Sequence, residues 1–329
     1  MTTPVHSVEA THATPSRETP RLIADVQYYL TLSPRQLPSR YFYDELGSAL
    51  FEAICRLPWY GVTRAERRLL ARYRDEIFTR CGSVSTVVEL GSGSGDKLRM
   101  LLAAPSRTGQ TTAHLIDVSP SALQASAHTL ADVARLRVVT HEAEYEDGLE
   151  AFARARQRHG LTLALFLGSN IGNFDRPGAE SLLASLRMVL GRGDWLLLGA
   201  DLVKPEPDLQ LAYADPLGVT AAFNRNLLVR LNTELDADFD LDRFAHRAVW
   251  NAGESRVEMH LVSTCAHHVR IGKASLDLEL AEGESIWTES SYKYRPDDIV
   301  SLVEPAGFSM RKQWIDEEDP FVLSLLQAA

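Results

Sequence analysis

The sequence predicts an α/β protein built on a doubly wound parallel sheet, with an inserted α+β segment. Three observations lead to this fold class. A β-prone run, Val87–Leu90, ends in glycines at alternate positions, and a helical pattern follows it. Further apolar runs alternate with helical segments, which is typical of parallel sheets. After residue 201 this alternation gives way to short strands separated by turns.

The first turn of the sheet carries Gly91, Gly93 and Gly95 behind the acidic residue Glu89. Glycine permits positive φ and lets a ligand touch the backbone, while the N–H groups of the following helix are free to donate. A dinucleotide-binding turn reads G-x-G-x-x-G, and the spacing here differs. The turn therefore predicts a nucleotide site but argues against an NAD-dependent oxidoreductase. A glycine-rich structural connector remains the alternative.

The next strand ends at Asp117, near the offset of about 20 residues at which an acid meets ribose hydroxyls in Rossmann-like folds. An N-cap or turn aspartate is the alternative interpretation. Hydrophobic periodicity predicts the later elements. They are strands at Leu136–Val139, Leu163–Leu167 and Trp195–Ala200, and helices at Ser121–Leu130 and Ala179–Leu190.

The segments that flank this alternation have a different character. Before the glycine turn, helices are predicted at Asp44–Arg56 and Thr63–Thr79, and Thr63 with Glu66 fits a capping box. After the fifth strand the pattern predicts two helices, four short strands, a last helix and a closing antiparallel hairpin. Their ranges are Leu209–Ala214, Thr220–Leu235, Ala248–Trp250, Arg256–Ser263, His268–Ile271, Leu276–Leu280, Asp297–Pro305, Met310–Ile315 and Phe321–Leu326.

Together these patterns predict five parts along the chain. Residues 1–20 are expected to be a flexible tail and residues 21–62 the helical part of an inserted lobe. Residues 63–201 form the nucleotide-binding domain, residues 202–287 the inserted α+β lobe, and residues 288–329 return to the first domain.

Composition narrows the function classes. The 329 residues contain no run of about 18 apolar residues, which a membrane span requires, and the start lacks the apolar core of a signal peptide. A net charge of −10 disfavours nucleic acid and anionic membranes. The three cysteines are scattered without C-x-x-C spacing, so neither a disulfide framework nor a metal site is expected. We expect a cytoplasmic monomer.

Several strings carry a resemblance to a known family. The glycine turn is similar to the E-x-G-x-G-x-G motif of class I S-adenosylmethionine-dependent methyltransferases. Longer strings resemble the L-histidine-specific Nα-methyltransferases that form hercynine in ergothioneine biosynthesis, and the resemblance spans residues 34–326. These strings are Tyr41–Asp44, Leu57–Tyr60, Thr63–Glu66, Phe166–Asn173, Gly218–Asn226, Glu258–Met259 and Thr288–Lys293.

The resemblance implies a class I Rossmann-like methyltransferase sheet with an inserted α+β substrate-binding lobe. It implies S-adenosyl-L-methionine as methyl donor, no metal, and free L-histidine as the substrate whose α-amine is methylated up to three times. A relative that methylates a different free amino acid is the alternative. A non-catalytic nucleotide-binding protein is disfavoured by the intact turn.

For the substrate, the resemblance assigns the amino-acid groups to Asn173 and Tyr213, with Tyr43 and Tyr60 nearby; Asn173 and Tyr43 are the expected catalytic residues. Asparagine and tyrosine side chains both donate and accept hydrogen bonds, which suits a zwitterion. Simple hydrophobic packing remains the alternative for Tyr60.

The imidazole is assigned by the resemblance to Glu289 and Ser291, with Met259 beside the ring. Residues two apart share one face of an extended segment, so both side chains could reach one ring. If the bound amino acid had an apolar side chain, the polar groups of Glu289 and Ser291 would remain unpaired. The pair would therefore discriminate histidine from apolar amino acids. Met259 alone could equally be core filler.

The resemblance places ribose on Asp117 and adenine near Glu144 and Tyr145. The full set of implied cofactor contacts is Gly91, Gly93, Lys97, Asp117, Glu144 and Tyr145. A solvated helix charge is the alternative for Lys97. The chain departs from the family pattern in the glycine turn, at Glu144 and at Asn170, where the family more often has aspartate and threonine at the last two positions.

Overall fold

The computed structural model describes residues 9–10, 18–156 and 160–329. Within these residues the α-helices, in chain order, are α1 (Glu18–Tyr29), α2 (Glu45–Ile54), α3 (Gly61–Cys81), α4 (Asp96–Leu102), α5 (Pro120–Leu130), α6 (Tyr145–Ala155), α7 (Arg176–Val189), α8 (Glu206–Tyr213), α9 (Val219–Leu235) and α10 (Pro296–Val303). Short 3-10 turns lie at Ser39–Phe42, Asn170–Asn173 and Leu241–Arg243.

The strands in the described residues are β1 (Glu9–Ala10), β2 (Arg35–Gln36), β3 (Val84–Leu90), β4 (Thr111–Asp117), β5 (Leu136–Glu142), β6 (Leu161–Phe166), β7 (Trp195–Asp201), β8 (Phe244–Asn251), β9 (Arg256–Ser263), β10 (His267–Ile271), β11 (Leu276–Leu280), β12 (Ser285–Tyr292), β13 (Phe308–Asp316) and β14 (Phe321–Ala328). The chain divides into two compact units: Val62–Val203 with Lys293–Ala329 and the N-terminal strand, and Ala13–Gly61 with Lys204–Tyr292.

The first unit is built on one sheet of order β1-β5-β4-β3-β6-β7-β14-β13. The pairs from β5 to β7 are parallel, while β14 is antiparallel to both β7 and β13. The strand order reverses at β3, which makes the switch point where doubly wound sheets bind ligands. The predicted fold class, including the closing hairpin, is confirmed.

The central strands are apolar because both faces of this sheet are covered. Every residue of β7 is buried. Leu196 and Leu198 of this strand share a core with Leu182 and Leu183 of α7 and with Phe166 of β6. Such double coverage explains why these strands read as continuous apolar runs instead of alternating ones.

The predicted capping box at Thr63 and Glu66 is wrong. Helix α3 begins at Gly61, so Thr63 lies inside the helix. Glu66 is fully buried, and its carboxylate accepts hydrogen bonds from the Gly168 N–H and from Lys97 instead of capping its own helix. A tertiary interaction therefore replaces the local one.

The predicted flexible tail, residues 1–20, lies mostly outside the described residues. Glu9–Ala10 pair with β5 as a short parallel strand, and helix α1 begins at Glu18, inside the predicted tail.

The second unit contains a four-stranded sheet of order β2-β12-β9-β8 and the separate hairpin of β10 and β11. Strands β9 and β11 have the bounds that the sequence predicted. Strand β12 is hydrogen-bonded to β9 as far as the pair of Tyr292 and Arg256. This unit therefore ends at Tyr292, later than the boundary predicted at residue 287, because the strand is continuous.

A buried ion pair anchors the return of the chain to the first unit. The Lys293 ammonium lies 2.9 Å from a carboxylate oxygen of Asp201, and both side chains are at most 1% exposed. The Asp201 N–H donates to the Ser169 hydroxyl at 2.9 Å, and the Asp201 carbonyl accepts from the Tyr294 N–H. The pair thus joins the last segment to the end of β7 and to the loop after β6. No helix in the described ranges has the length and apolar character needed to cross a bilayer.

Substituting Lys293→Met should lower the free energy of unfolding by about 3–5 kcal/mol, because the Asp201 carboxylate would stay buried without its partner. Urea denaturation followed by circular dichroism measures the loss. Arg154→Met is the matched control, since its pair with Glu150 leaves both side chains more than half exposed and should cost less than about 1 kcal/mol. Similar losses in the two variants would contradict the anchoring role.

Candidate active site

The first unit collects the predicted cofactor residues at the carboxyl ends of its parallel strands. Gly91 follows β3, Asp117 ends β4, and Glu144 lies just after β5. The loop that carries Asn170 and Asn173 follows β6. In doubly wound sheets this edge is where ligands bind, so the topology alone brings these residues to one side of the sheet.

A side chain at Gly91 would crowd its neighbours. Its φ is +74°, and a Cβ built there would lie 2.7 Å from Asn170 Nδ2 and 3.1 Å from the Tyr145 hydroxyl. Its N–H donates to the Ile116 carbonyl at 2.8 Å, which fixes the turn against β4. The positive φ favours glycine here, and any side chain would displace the Asn170 amide and press on the Tyr145 hydroxyl. The neighbouring Gly93 also has positive φ, and nothing lies within 4 Å of the position of its Cβ.

The Asp117 carboxylate braces the glycine turn. It accepts hydrogen bonds from the Gly93 N–H at 3.1 Å and from the Ser119 N–H at 3.0 Å. Burial raises the pKa of Asp117, and these backbone bonds oppose that rise. Ser119 caps α5 through its own hydroxyl, so Asp117 is not the helix cap that the sequence left open.

Glu66 is a structural residue of this edge that sequence reasoning missed. Its oxygens lie 2.8 and 2.9 Å from the Gly168 nitrogen, and one lies 2.8 Å from the Lys97 ammonium. A Cβ on Gly199 would lie 2.2 Å from the Glu66 carboxylate, so that glycine makes the space for it. Lys97 is therefore paired within the protein and is not a freely solvated helix charge. A glutamate in an amphipathic helix gives no sequence signal of such burial.

A second acidic side chain, Glu89, lies buried at the end of β3. Burial raises the pKa of Glu89 to about 8, although the nearby Lys97 opposes the rise. No group in the described ranges hydrogen-bonds its Oε2 atom. Burial and the neighbouring Glu66 and Asp117 carboxylates thus favour the neutral form of this side chain.

Tyr145, the first residue of α6, extends an aromatic wall beside the turn. Its ring centroid lies 5.5 Å from that of Phe166 and 6.1 Å from that of Phe174. Burial raises the pKa of Tyr145, so the hydroxyl stays neutral. Glu144 is the N-cap residue of α6. An apolar ring beside an acid suits the flat face and exocyclic amine of adenine.

Asn173 ends a 3-10 turn that is held from two sides. Ser169, before the turn, has φ +59° and accepts the Asp201 N–H, while the Tyr294 hydroxyl donates to the Ile171 carbonyl at 3.2 Å. Within the first unit, no described group hydrogen-bonds the Asn173 side-chain amide. Its hydrogen-bonding groups are thus available in this unit.

Asn170, where the chain departs from the family pattern, lies at the glycine turn. Its amide comes near the positions that a Cβ on Gly91 or on Gly168 would occupy. The departure therefore bears on the surroundings of the cofactor turn at least as much as on Asn173.

In the second unit, Met259, Glu289 and Ser291 lie on one face of the sheet. Glu289 is directly opposite Met259 in the register, and Ser291 is opposite Val257. Directly opposed residues share a face, as do residues two apart on one strand. Met259 and Ser291 are buried, while Glu289 is partly exposed.

Tyr213, Tyr60 and Tyr43 join the same cluster. The Tyr213 hydroxyl lies 2.8 Å from the Ser291 hydroxyl. The Tyr60 ring meets that of Tyr213 edge to face at 6.3 Å, and the rings of Tyr60 and Tyr43 both contact Phe51. The predicted substrate residues of the second unit therefore form one constellation. Asn173 and the cofactor residues belong to the first unit. The described residues contain no group of three or more metal-ligating side chains.

A family profile described as "Histidine-specific methyltransferase, SAM-dependent" matches residues 22–328. The chain belongs to this family. Membership in the histidine-specific methyltransferase family confirms the resemblance, the enzyme class and the dependence on S-adenosylmethionine.

Known methyltransferases resemble the chain along most of its length. A histidine N-alpha-methyltransferase of Mycolicibacterium smegmatis is 41% identical over 304 residues, which cover 92% of this chain and 93% of the relative. Its counterpart in Mycobacterium tuberculosis is 41% identical over 303 residues, with the same coverage. The L-tryptophan methyltransferase trpM of Psilocybe serbica is 28% identical over 340 residues, covering 94% of each chain.

The space around Gly91 gives a test of the cofactor turn. Gly91→Ala should weaken binding of S-adenosylhomocysteine by about tenfold or more, because the added methyl group forces Asn170 and Tyr145 to move. Isothermal titration calorimetry measures the dissociation constant. Gly109→Ala is the control, since φ is +82° there and nothing lies within 4 Å. Equally small effects of both substitutions would contradict a role of Gly91 in cofactor binding.

Proposed function

We propose that the protein transfers methyl groups from S-adenosylmethionine to the α-amino group of free L-histidine, up to three times, giving histidine betaine (hercynine). The observation that carries this proposal is the constellation of Glu289, Ser291 and Met259 on one sheet face, with Ser291 hydrogen-bonded to Tyr213. The similarity to two histidine N-alpha-methyltransferases supports it.

The constellation suits an imidazole. Glu289 can accept from a ring N–H, and Ser291 can donate to or accept from the other ring nitrogen. Met259 offers a polarizable surface to the ring. A phenyl or indole side chain would leave the carboxylate and the hydroxyl without these partners, which costs more than the loss of an apolar contact.

Methyl transfer requires the amine to be aligned with the methyl group of the donor. Bound S-adenosylmethionine supplies an activated methyl group, and displacement by an amine depends on orientation and exclusion of water. The amine has a pKa of about 8 or above, so it is largely protonated at neutral pH and must lose a proton before each transfer. We assign Asn173 and Tyr43 to orienting the amine, with Tyr213 and Tyr60 beside the amino-acid groups. We assign no general base, since water can take the proton.

The first unit fits the cofactor. Gly91 gives the turn its positive φ and a backbone without a side chain, the Asp117 carboxylate is the proposed acceptor for ribose hydroxyls, and Tyr145 presents an aromatic surface. Lys97, held by Glu66, offers an ammonium to the cofactor carboxylate. These residues, with Gly93 and Glu144, are the proposed cofactor contacts.

A second candidate is methylation of a different free amino acid. The similarity to an L-tryptophan methyltransferase favours keeping this alternative, since this relative is named for a different substrate. The acidic and hydroxyl groups on the Met259 face argue for histidine over tryptophan.

Incubation of the protein with S-adenosylmethionine and L-histidine should give products heavier by one, two and then three methyl groups in mass spectrometry. A peptide with histidine at its C-terminus lacks a free histidine α-amine and should stay unmodified. An unmodified histidine pool, under conditions in which another amino acid is turned over, would overturn the histidine assignment in favour of the alternative.

Glu289→Ala should raise the KM for histidine and narrow the preference over tryptophan and phenylalanine, because the carboxylate that selects a ring N–H is lost. The expected loss is about 1.5–3 kcal/mol in kcat/KM for histidine. Glu289→Gln, which keeps a neutral acceptor, should lose less.

Asn173→Ala is the matched comparison, since a residue that orients the α-amine should impair every amino acid alike. Steady-state kinetics on the three amino acids separate the two patterns. Equal proportional losses across substrates in Glu289→Ala would assign Glu289 to the amine or to structure.

A further inference from the structure

The face on which Glu289 lies depends on an irregularity in its strand. Ile286 and Trp287 pair with Leu261 and His260, but Glu289 pairs with Met259, so the register shifts by one residue. Thr288 is the extra residue of this β-bulge. A bulge changes which side chains face each side of a sheet.

The same sequence could also pair without the bulge. Continued at constant register, the strand would set Thr288 opposite Met259 and Glu289 opposite Glu258. Glu289 would then share the face of His260 and Trp287, and Ser291 would turn with it. The bulge therefore decides whether the proposed imidazole contacts lie beside Met259.

A buried amide holds the bulged residue. Thr288 is 1% exposed, and its hydroxyl lies within hydrogen-bond distance of two acceptors: Asn224 Oδ1 at 2.7 Å and, on the paired strand, the Met259 carbonyl at 3.0 Å. The Asn224 Nδ2 donates to the His260 carbonyl at 3.1 Å, on the strand opposite the bulge. Asn224 lies on α9 and is itself fully buried. The Asn224 side chain is thus hydrogen-bonded to both β12 and β9 at the bulge.

The same amide also reaches the end of α8. Asn224 Nδ2 donates to His246 Nδ1 at 2.9 Å, and His246 Nε2–H donates to the Tyr213 carbonyl at 2.7 Å. This pattern requires the neutral imidazole protonated on Nε2. Burial lowers the pKa of His246, in agreement with that form. The Tyr213 hydroxyl then meets Ser291, which closes a ring of contacts around the constellation.

We propose that Asn224 is a positioning residue that sets substrate specificity, because it holds the Thr288 bulge and, through His246, the helix end that carries Tyr213. The inference rests on the proposed recognition of histidine by Glu289 and Ser291. Asn224 does not contact Glu289 or Ser291 itself. It fixes the strand register that positions Ser291 and the helix end that positions Tyr213. The string 218–226 contained this residue, but sequence alone assigned it no role.

Two substitutions separate positioning from general stability. Asn224→Leu removes the amide at similar volume, and Asn232→Leu is the matched control on the same helix. The Asn232 side chain makes two hydrogen bonds to the backbone of Phe239, at 2.8 and 2.9 Å, and none to the bulge. Both variants should lower the melting temperature, whereas only Asn224→Leu should change specificity.

The expected result for Asn224→Leu is a fall of about tenfold or more in kcat/KM for histidine, mostly through KM, with a reduced preference over tryptophan. The dissociation constant of S-adenosylhomocysteine should not change. Thr288→Val and Thr288→Ser give the same test if Asn224→Leu does not fold. The valine variant should lose specificity, and the serine variant, which keeps the hydroxyl, should retain it.

Suppose that the wild-type protein methylates histidine. The positioning role would then be overturned if folded Asn224→Leu or Thr288→Val kept the wild-type KM and selectivity, or if Asn232→Leu changed them equally. If the wild-type protein instead used another amino acid, the proposed function would fail by that measurement alone. The positioning role would then be judged by the same variants on the accepted amino acid, and an unchanged KM there would overturn it as well.

Discussion

The carboxyl edge of the first sheet depends on one buried carboxylate. Glu66 accepts from the backbone of Gly168 and from the Lys97 ammonium, so it ties α3 to the helix after the glycine turn and to the loop after β6. Because Gly199 leaves no side chain in its path, this acid lies directly against β7. A charge with no exposed surface requires such partners, and in meeting that requirement Glu66 fixes the spacing of three segments.

In the second unit, neutral polar groups fix the positions of neighbouring segments. Asn224, Thr288 and His246 each satisfy a buried polar partner, and no ionised group is needed among them. Networks of this kind fix one arrangement of a core, since every competing arrangement leaves a buried donor or acceptor unpaired. Both units therefore use buried polar groups to set the positions of loops and strands that bear the proposed contacts.

The parts of the fold that follow from local patterns could be predicted from the sequence. The glycine turn, the alternation of strands and helices and the bounds of β9 followed from periodicity and from glycine chemistry. Glu66 could not be predicted, because the pattern T-x-x-E also fits a capping box and only the packing against Gly199 decides between them. The resemblance supplied the assigned roles, which neither spacing nor topology provides.

The spacing of Glu289 and Ser291 was readable, but the face on which they lie was not. A two-residue separation places them together on either face, and the choice is made by the extra residue at 288 and its partner on a distant helix. The register of two paired strands depends on the hydrophobic patterns of both strands, so the residues of β12 alone do not reveal the bulge.

The bulge also has a consequence for how this segment tolerates changes in length. A chain lacking residue 288 would pair at constant register from Ile286 onward and would still present Glu289 beside Met259. A chain with one residue added there would need a wider irregularity or would turn the acid to the opposite side. A deletion and an insertion at this position therefore have different effects. A deletion keeps Glu289 and Ser291 on the face of Met259, whereas an insertion can turn them to the other face. A change of ligand choice could thus arise from an insertion in this strand as well as from exchange of side chains.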